Sequence, residues 1–183
     1  MRLATLALLV TISTQAGAEC GKLCDAGWWA NATTADVYSE MAKGADVTAR
    51  NLDGSTPRHS SAAHGTAESI DILVAVGADV HAGHECGSTP LHTAAAQGTA
   101  ETIQALLAAG SDVMAREADG WTPLHRAASC FSCNPDNIQT LLSASASVTA
   151  KDEDGKAPWD YAQDNLYLKG TKGYLALKAA QSD

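Results

Sequence analysis

Gly87-Ser88-Thr89-Pro90-Leu91-His92 is the stretch that decides the fold, because it recurs along the chain at a constant spacing. Gly54-Ser55-Thr56-Pro57-Arg58-His59 lies 33 residues before it, and Gly120-Trp121-Thr122-Pro123-Leu124-His125 lies 33 residues after it. A weaker copy, Gly155-Lys156-Ala157-Pro158-Trp159-Asp160, follows 35 residues further on. Repetition at a period of about 20 to 50 residues is the signature of an architecture that stacks one small unit several times.

A second motif recurs in the same register and has the form Gly-Ala-Asp-Val. Its copies are Gly44-Ala45-Asp46-Val47, Gly77-Ala78-Asp79-Val80, Gly110-Ser111-Asp112-Val113 and the weaker Ser145-Ala146-Ser147-Val148. Two motifs in phase over most of the chain indicate a single structural unit that is repeated.

The central unit predicts two helices followed by a hairpin. Thr89-Pro90 places a side-chain acceptor at the N-cap and a pre-set φ at the first helical position, so a helix is predicted to begin there. Gly98-Thr99 is predicted to end that helix. Residues 100–109 carry apolar side chains at helical spacing and predict a second helix, which Gly110 ends. Residues 113–120 then predict an extended hairpin with an Asp-Gly turn.

These motifs resemble the ankyrin-repeat family, and the resemblance covers about residues 28–183. It implies an all-α solenoid of helix pairs with β-hairpin fingers, in which neighbouring units stack into one continuous core. It also implies that His59, His92 and His125 are structural and form hydrogen bonds with the Thr hydroxyl and nearby backbone. The predicted divisions are a signal peptide at 1–18, an N-terminal segment with a capping repeat at 19–50, repeats at 51–83, 84–116 and 117–151, and a C-terminal capping repeat at 152–183.

Several positions depart from the repeat pattern. Arg58 replaces the Leu of the motif, and we expect its side chain to extend toward the edge of the stack. Ser145 stands where the other copies have Gly, and the segment 129–136 contains two extra residues. Aromatic side chains are expected to close the two ends of the stack; they are Trp28 and Trp29 at the N-terminal end and Trp159, Tyr161, Tyr167 and Tyr174 at the C-terminal end.

The N-terminus predicts export. Met1-Arg2 precedes an apolar stretch at 3–10, and Ala16-Gly17-Ala18 forms an A-x-A cleavage pattern. The mature chain is therefore expected to begin at Glu19, to be secreted or periplasmic, and not to be inserted in a membrane, since the apolar stretch is shorter than the roughly 20 residues of a spanning helix.

The amino-acid composition limits the classes of partner that the protein can bind. The chain has 183 residues, 45% of them apolar, and 12 basic against 21 acidic residues give a net charge of −9. This charge argues against a nucleic-acid partner, because binding phosphates requires a basic surface. The sequence has no nucleotide-binding, zinc-protease or Ser-nucleophile motif, so we expect neither a cofactor nor an enzymatic activity. A monomer is the default expectation.

The five cysteines suit disulfides in an exported protein. Cys20 with Cys24 and Cys130 with Cys133 are the predicted pairs, which leaves Cys86 unpaired. Two alternatives remain at this stage: an oxidoreductase that uses Cys130 and Cys133, or a metal site formed by His81, His84 and Cys86.

The resemblance implies binding of a protein partner through the concave face that the fingers and the first helices form. The corresponding positions in this sequence are Ser60, His64, Thr93, Gln97 and Arg126 on the first helices and His81, His84, Glu85, Met114, Glu117 and Trp121 on the fingers. Trp121 and Arg126 are the expected anchors, since both residue types are frequent at binding hot spots. Trp121 has an equally good structural alternative, which is packing on the next finger.

Overall fold

The computed structural model describes residues 20–131 and 133–181, and the predicted signal peptide at 1–18 lies outside them. A short 3-10 helix, Gly21–Cys24, comes first. The α-helices that follow are α1 Ala26–Trp29, α2 Thr34–Ala42, α3 Pro57–His64, α4 Ala67–Ala75, α5 Pro90–Gln97, α6 Ala100–Ala108, α7 Pro123–Ser129, α8 Asp136–Ser143, α9 Pro158–Ala162 and α10 Lys172–Ala179. Within this part of the chain, no helix is long and apolar enough to cross a membrane.

The helices form two parallel rows, as a stack of helix pairs requires. The first helices α3, α5, α7 and α9 contact one another in that order, and the second helices α2, α4, α6, α8 and α10 form the other row. Each first helix from α3 onward begins at the Pro of a repeat motif, as predicted. The solenoid is thereby confirmed.

Each first helix is tied to the next unit by the His of its motif. In α5, His92 Nδ1 accepts a hydrogen bond from the Thr89 N–H (3.2 Å) and lies 2.9 Å from the Thr89 hydroxyl. The other ring nitrogen, Nε2, lies 3.2 Å from the Trp121 carbonyl oxygen of the following finger. His59 and His125 repeat this arrangement. The structural role that the family resemblance implied for the three imidazoles is confirmed.

The second helices α2, α4, α6 and α8 are followed by residues with a left-handed backbone. Gly77 and Gly110 follow α4 and α6 with φ of 90° and 94°. After α8 this place belongs to Ser145, whose φ is 66°, and it is the one non-Gly residue with positive φ in the described chain. The first helices end differently. Gly98 after α5 has an extended φ of −86°, and a Cβ there would lie only 2.4 Å from the Ala62 carbonyl oxygen.

The hydrophobic core consists of two clusters, and Arg58 belongs to neither. One cluster runs through the array from Ala62 to Leu177, and a smaller one, which includes Leu23 and Trp29, fills the N-terminal unit. At the equivalent positions, Leu91 and Leu124 are fully buried in the large cluster. The expectation that Arg58 reaches the edge of the stack is wrong. Its side chain is 0% exposed, because α3 is covered on one side by the N-terminal unit and on the other by α5.

The fingers are tight turns rather than β-hairpins. The finger at 84–88 is closed by hydrogen bonds from the His84 N–H to the Ser88 carbonyl (3.0 Å) and from the Gly87 N–H to the His84 carbonyl (2.8 Å). Neighbouring fingers are joined by one backbone bond, from the Ala118 N–H to the Cys86 carbonyl (2.9 Å). No strand occurs in residues 20–131 or 133–181. The predicted hairpin strands are therefore not seen, because a single backbone pair on each side of a turn does not make a ladder.

The two end units close the stack in different ways. Trp29 is buried, and its Nε1 donates to the Leu23 carbonyl (2.8 Å), which fixes the 3-10 helix against α1. At the other end, the rings of Trp159 and Tyr174 pack 5.1 Å apart. Tyr167 does not contribute to closure as expected, because its side chain is 72% exposed.

Candidate functional site

Predicted partner-binding residues meet in a hollow between the fingers and the first helices. The hollow has a volume of about 300 Å³. His64 and Gln97, the last residues of α3 and α5, form one side of it, and His84 of a finger forms another. Thr93 also lines the hollow, and His64 and Gln97 are exposed. We call this hollow, lined by His64, His84, Thr93 and Gln97, the N-terminal hollow.

Ser60 belongs to the same predicted set but is not available to a partner. Its side chain is buried, and its hydroxyl donates to the Cys24 carbonyl (3.0 Å). The bond attaches the N-terminal unit to α3. The sequence could not show this, because the two residues lie 36 positions apart and share no motif.

Glu117 and Arg126 form an ion pair that joins a finger to the first helix behind it. The Arg126 Nε lies 2.9 Å from Oε1 and 3.0 Å from Oε2 of Glu117, and Arg126 Nη2 donates to Oε2 as well. The Glu117 side chain is 1% exposed, whereas that of Arg126 is 37% exposed. Glu117 is therefore a structural residue and not the exposed finger residue that was expected.

The ionisation of this pair follows from its contacts. Burial raises the pKa of Glu117, but hydrogen bonds from Arg126 and Ser88 outweigh it and hold the pKa below its usual range. The hydrogen bond with Glu117 raises the pKa of Arg126. Both groups are charged at neutral pH, and removing either one would leave the other without its partner. Arg126 is consequently a poor residue for testing partner binding by truncation.

Trp121 packs on the unit that follows it. Its ring lies 4.7 Å from the ring of Tyr161 on α9 and 6.1 Å from that of His125. The Arg126 guanidinium carbon lies 5.0 Å from the Trp121 ring centroid, within the range of a cation–π contact. Trp121 stays half-buried, so part of the side chain is open to solvent.

Of the remaining predicted finger residues, two are exposed to solvent and one packs against the next unit. His81 and Glu85 are exposed. Met114 is half-buried, and its sulfur accepts a hydrogen bond from the Ser147 N–H of the next unit (3.3 Å). The predicted surface therefore narrows to the N-terminal hollow, the exposed part of Trp121, and the tips that carry His81 and Glu85.

Comparison with known proteins agrees with this geometry. A family model described as ankyrin repeats in three copies matches residues 30–117 and 59–152, which together exceed half of the chain. The chain belongs to the ankyrin-repeat family. Ankyrin repeats are generally protein-interaction modules, and the family is typically non-catalytic. No curated protein matches the chain.

Both predicted disulfides are present in the ankyrin array. Cys20 is bonded to Cys24 and Cys130 to Cys133, and the Cα atoms of each pair are 5.6 Å apart. The second bridge closes the loop between α7 and α8, and neither of its cysteines lies in the first turn of a helix, where thiols acquire the low pKa of redox sites. The oxidoreductase alternative is not supported.

Cys86 is unpaired and exposed on a finger of the array. His84 Nδ1 accepts a hydrogen bond from the Cys86 N–H (3.1 Å), so that nitrogen is engaged in the turn. In the described chain, no three His, Cys, Asp or Glu side chains are grouped to hold a metal ion. The structure therefore does not bring His81, His84 and Cys86 together, and the metal-site alternative is not supported.

Two buried asparagines that sequence reasoning missed terminate first helices of the array. Asn137 Nδ2 donates to the carbonyls of Ala94, Ala95 and Gly98 at 3.1–3.3 Å. Asn165 Nδ2 donates to the Ala128 and Cys130 carbonyls at 3.1 and 2.7 Å. Each supplies donors to the carbonyls that a helix leaves free at its C-terminus. Neither residue recurs in the repeat, so periodicity offered no signal for them.

Proposed function

We propose that this ankyrin-repeat protein is an exported, non-catalytic module that binds one protein partner through its concave surface. Export rests on the predicted signal peptide, and the partner surface rests on the N-terminal hollow. The observation that carries the proposal is that residues of two first helices and one finger, which are far apart in sequence, line this single hollow.

The chemistry of the hollow suits a protein rather than a reactive substrate. His64, Thr93 and Gln97 offer hydrogen-bond donors and acceptors on two neighbouring helices, which supports hydrogen bonding to a peptide surface. The nearby imidazole of His59 is committed to Thr56 and to the Ser88 carbonyl. A non-catalytic role is consistent with this use of His59.

A pair of substitutions at the helix ends tests the proposal. The mature chain, immobilised, would first be used to capture partners from envelope and secreted fractions, and the affinity for a purified captured protein would then be measured. His64→Ala with Gln97→Ala should weaken that affinity by about tenfold or more, equivalent to about 1.4 kcal/mol. Both side chains are exposed, so the thermal midpoint should stay nearly unchanged.

The matched control replaces two residues on the row of second helices. Gln104 on α6 and Gln139 on α8 are equally exposed polar residues on the outer face. Gln104→Ala with Gln139→Ala should leave the affinity unchanged. Full affinity of the folded concave pair, or an equal loss with the outer pair, would contradict the proposal.

A further inference from the structure

Two aromatic side chains are exposed side by side at the C-terminal end of the concave surface. Phe131 is 67% and Tyr167 72% exposed, and their rings meet edge to face with centroids 6.0 Å apart. They come from different loops, one between α7 and α8 and one between α9 and α10. Leu166 beside them is 74% exposed. Adjoining exposed apolar side chains of this size mark interaction sites on soluble proteins.

The patch is held in place by covalent and buried polar contacts. Phe131 lies inside the ring that the Cys130–Cys133 bridge closes. Asn165, which is 2% exposed, donates to the Cys130 carbonyl and accepts a hydrogen bond from the Tyr167 N–H (3.1 Å). One buried amide thus positions both aromatic loops. The backbone of both loops is therefore held before a partner binds, which lowers the entropy cost of binding.

Next to the patch lies a hollow of about 550 Å³ with an acidic lining. Phe131 borders it on one side, and Tyr161 of α9 borders it on the other. The carboxylates Asp160 and Asp164 line it together with the ammonium of Lys156, and Lys151 Nζ lies 3.8 Å from Asp160 Oδ2. We call this hollow, lined by Phe131, Asp160, Tyr161 and Asp164, the C-terminal hollow.

The position of Lys156 shows which chemistry the C-terminal hollow accepts. Its Nζ lies 5.4 Å from the centroid of the Tyr161 ring, at cation–π distance. The ammonium of Lys156 therefore already lies over the Tyr161 ring, beside the two carboxylates. Lys156 is exposed, so an incoming cation can displace it without disturbing a packed core. The net charge of −9 also favours a basic segment over an acidic one.

We propose that the C-terminal hollow binds an extended segment of a protein partner in which a Lys or Arg side chain stands next to an apolar residue. The cation enters between Asp160, Asp164 and the face of Tyr161, and the apolar side chain packs on Phe131 and Tyr167. The proposal rests on the protein-binding function above. It extends the binding surface from the repeats to the inserted loop and the C-terminal capping unit.

An array of random short peptides, probed with the labelled mature protein, tests this directly. Bound peptides should be enriched in Lys or Arg beside an apolar residue, and their binding should weaken with added salt. For the best peptide, Asp160→Asn with Asp164→Asn should weaken binding by about tenfold, and Phe131→Ala should weaken it by a similar factor. Lys156→Met should strengthen binding by about threefold, because the competing cation is removed.

The controls separate this inference from the proposed function. Asn at position 160 can still accept from the Ala157 N–H, as Asp160 does at 2.7 Å, so α9 keeps its start. Gln104→Ala with Gln139→Ala should leave peptide binding at the C-terminal hollow unchanged, since both residues lie outside it. Enrichment in acidic or uncharged peptides, or equal affinity of the Asp160→Asn, Asp164→Asn protein, overturns the inference. If partner capture still depends on His64 and Gln97 in that case, the proposed function stands without it.

Discussion

Arg58 is the residue at which this chain departs furthest from its own repeat. Its guanidinium is fully buried, and none of its three nitrogens has a hydrogen-bond partner among residues 20–131 and 133–181. Burial lowers its pKa to about 10, and the carboxylate of Asp79 opposes this only in part. A buried charge without hydrogen bonds lowers the stability of the folded state. The same position carries Leu in the next two units, where it joins the core.

Replacing this charge should therefore stabilise the protein. We expect Arg58→Leu to raise the free energy of unfolding by about 1 to 4 kcal/mol, because an apolar side chain replaces the desolvated guanidinium. Urea unfolding of the mature protein measures the change. Leu91→Arg, the reverse substitution one unit later, should destabilise strongly. A lower stability for Arg58→Leu than for the original chain would contradict this account.

At the scale of elements, the second helices differ in how they end. Gly110 follows α6 with a left-handed backbone at no cost, whereas Ser145 after α8 adopts the same conformation with a side chain. A left-handed non-Gly residue costs about 1 to 2 kcal/mol. The sequence marked this position as unusual, and the structure gives the reason why it is unfavourable.

Ser145→Gly should accordingly raise the free energy of unfolding. The expected gain is about 0.5 to 1 kcal/mol, because the greater freedom of Gly in the unfolded chain offsets part of the relieved strain. Thermal unfolding of the two proteins, side by side, provides the measurement. Gly110→Ser is the matched control, since a Cβ there meets no atom within 4 Å and only the backbone conformation is tested. It should lower stability by a similar amount. Equal stability of all three proteins would show that the conformation carries no strain.

On the scale of the whole molecule, a row of buried imidazoles connects successive units. Burial lowers the pKa of His59 to about 4, despite the bond to the Ser88 carbonyl, and it lowers the pKa of His92 and His125 as well. These groups are neutral in the folded protein at neutral pH. The unfolded chain protonates them more readily, so acid favours unfolding.

Stability should therefore be full above about pH 6.5 and should fall as the pH drops toward about 4. His59 alone contributes a loss on the order of 3 kcal/mol across this window, since its pKa moves from 6.5 unfolded to about 4 folded. Urea unfolding at a series of pH values tests this. Carboxylates with a lowered pKa, such as Glu117, lose their contribution only at the acid end of the window. His59→Gln should flatten the dependence, and an equally steep curve for that variant would refute the assignment.

The concave surface also differs between its two ends. The N-terminal hollow presents His64, Thr93 and Gln97, whereas the C-terminal hollow presents Asp160 and Asp164 beside aromatic rings. The two hollows therefore suit partner segments of different chemistry.

The sequence by itself determined the repeat, the starts of the first helices and the two disulfides. These features are local or periodic: Thr-Pro acts within one helical turn, and each cysteine pair spans only three or four residues. The tertiary structure alone decided the burial of Arg58 and Glu117 and the contact between Phe131 and Tyr167. It also decided that the fingers in the described chain are tight turns without strands. Those outcomes depend on which surfaces come into contact when the units stack. Phe131 and Tyr167, for example, are 36 positions apart and share no motif, so a single sequence does not predict their contact.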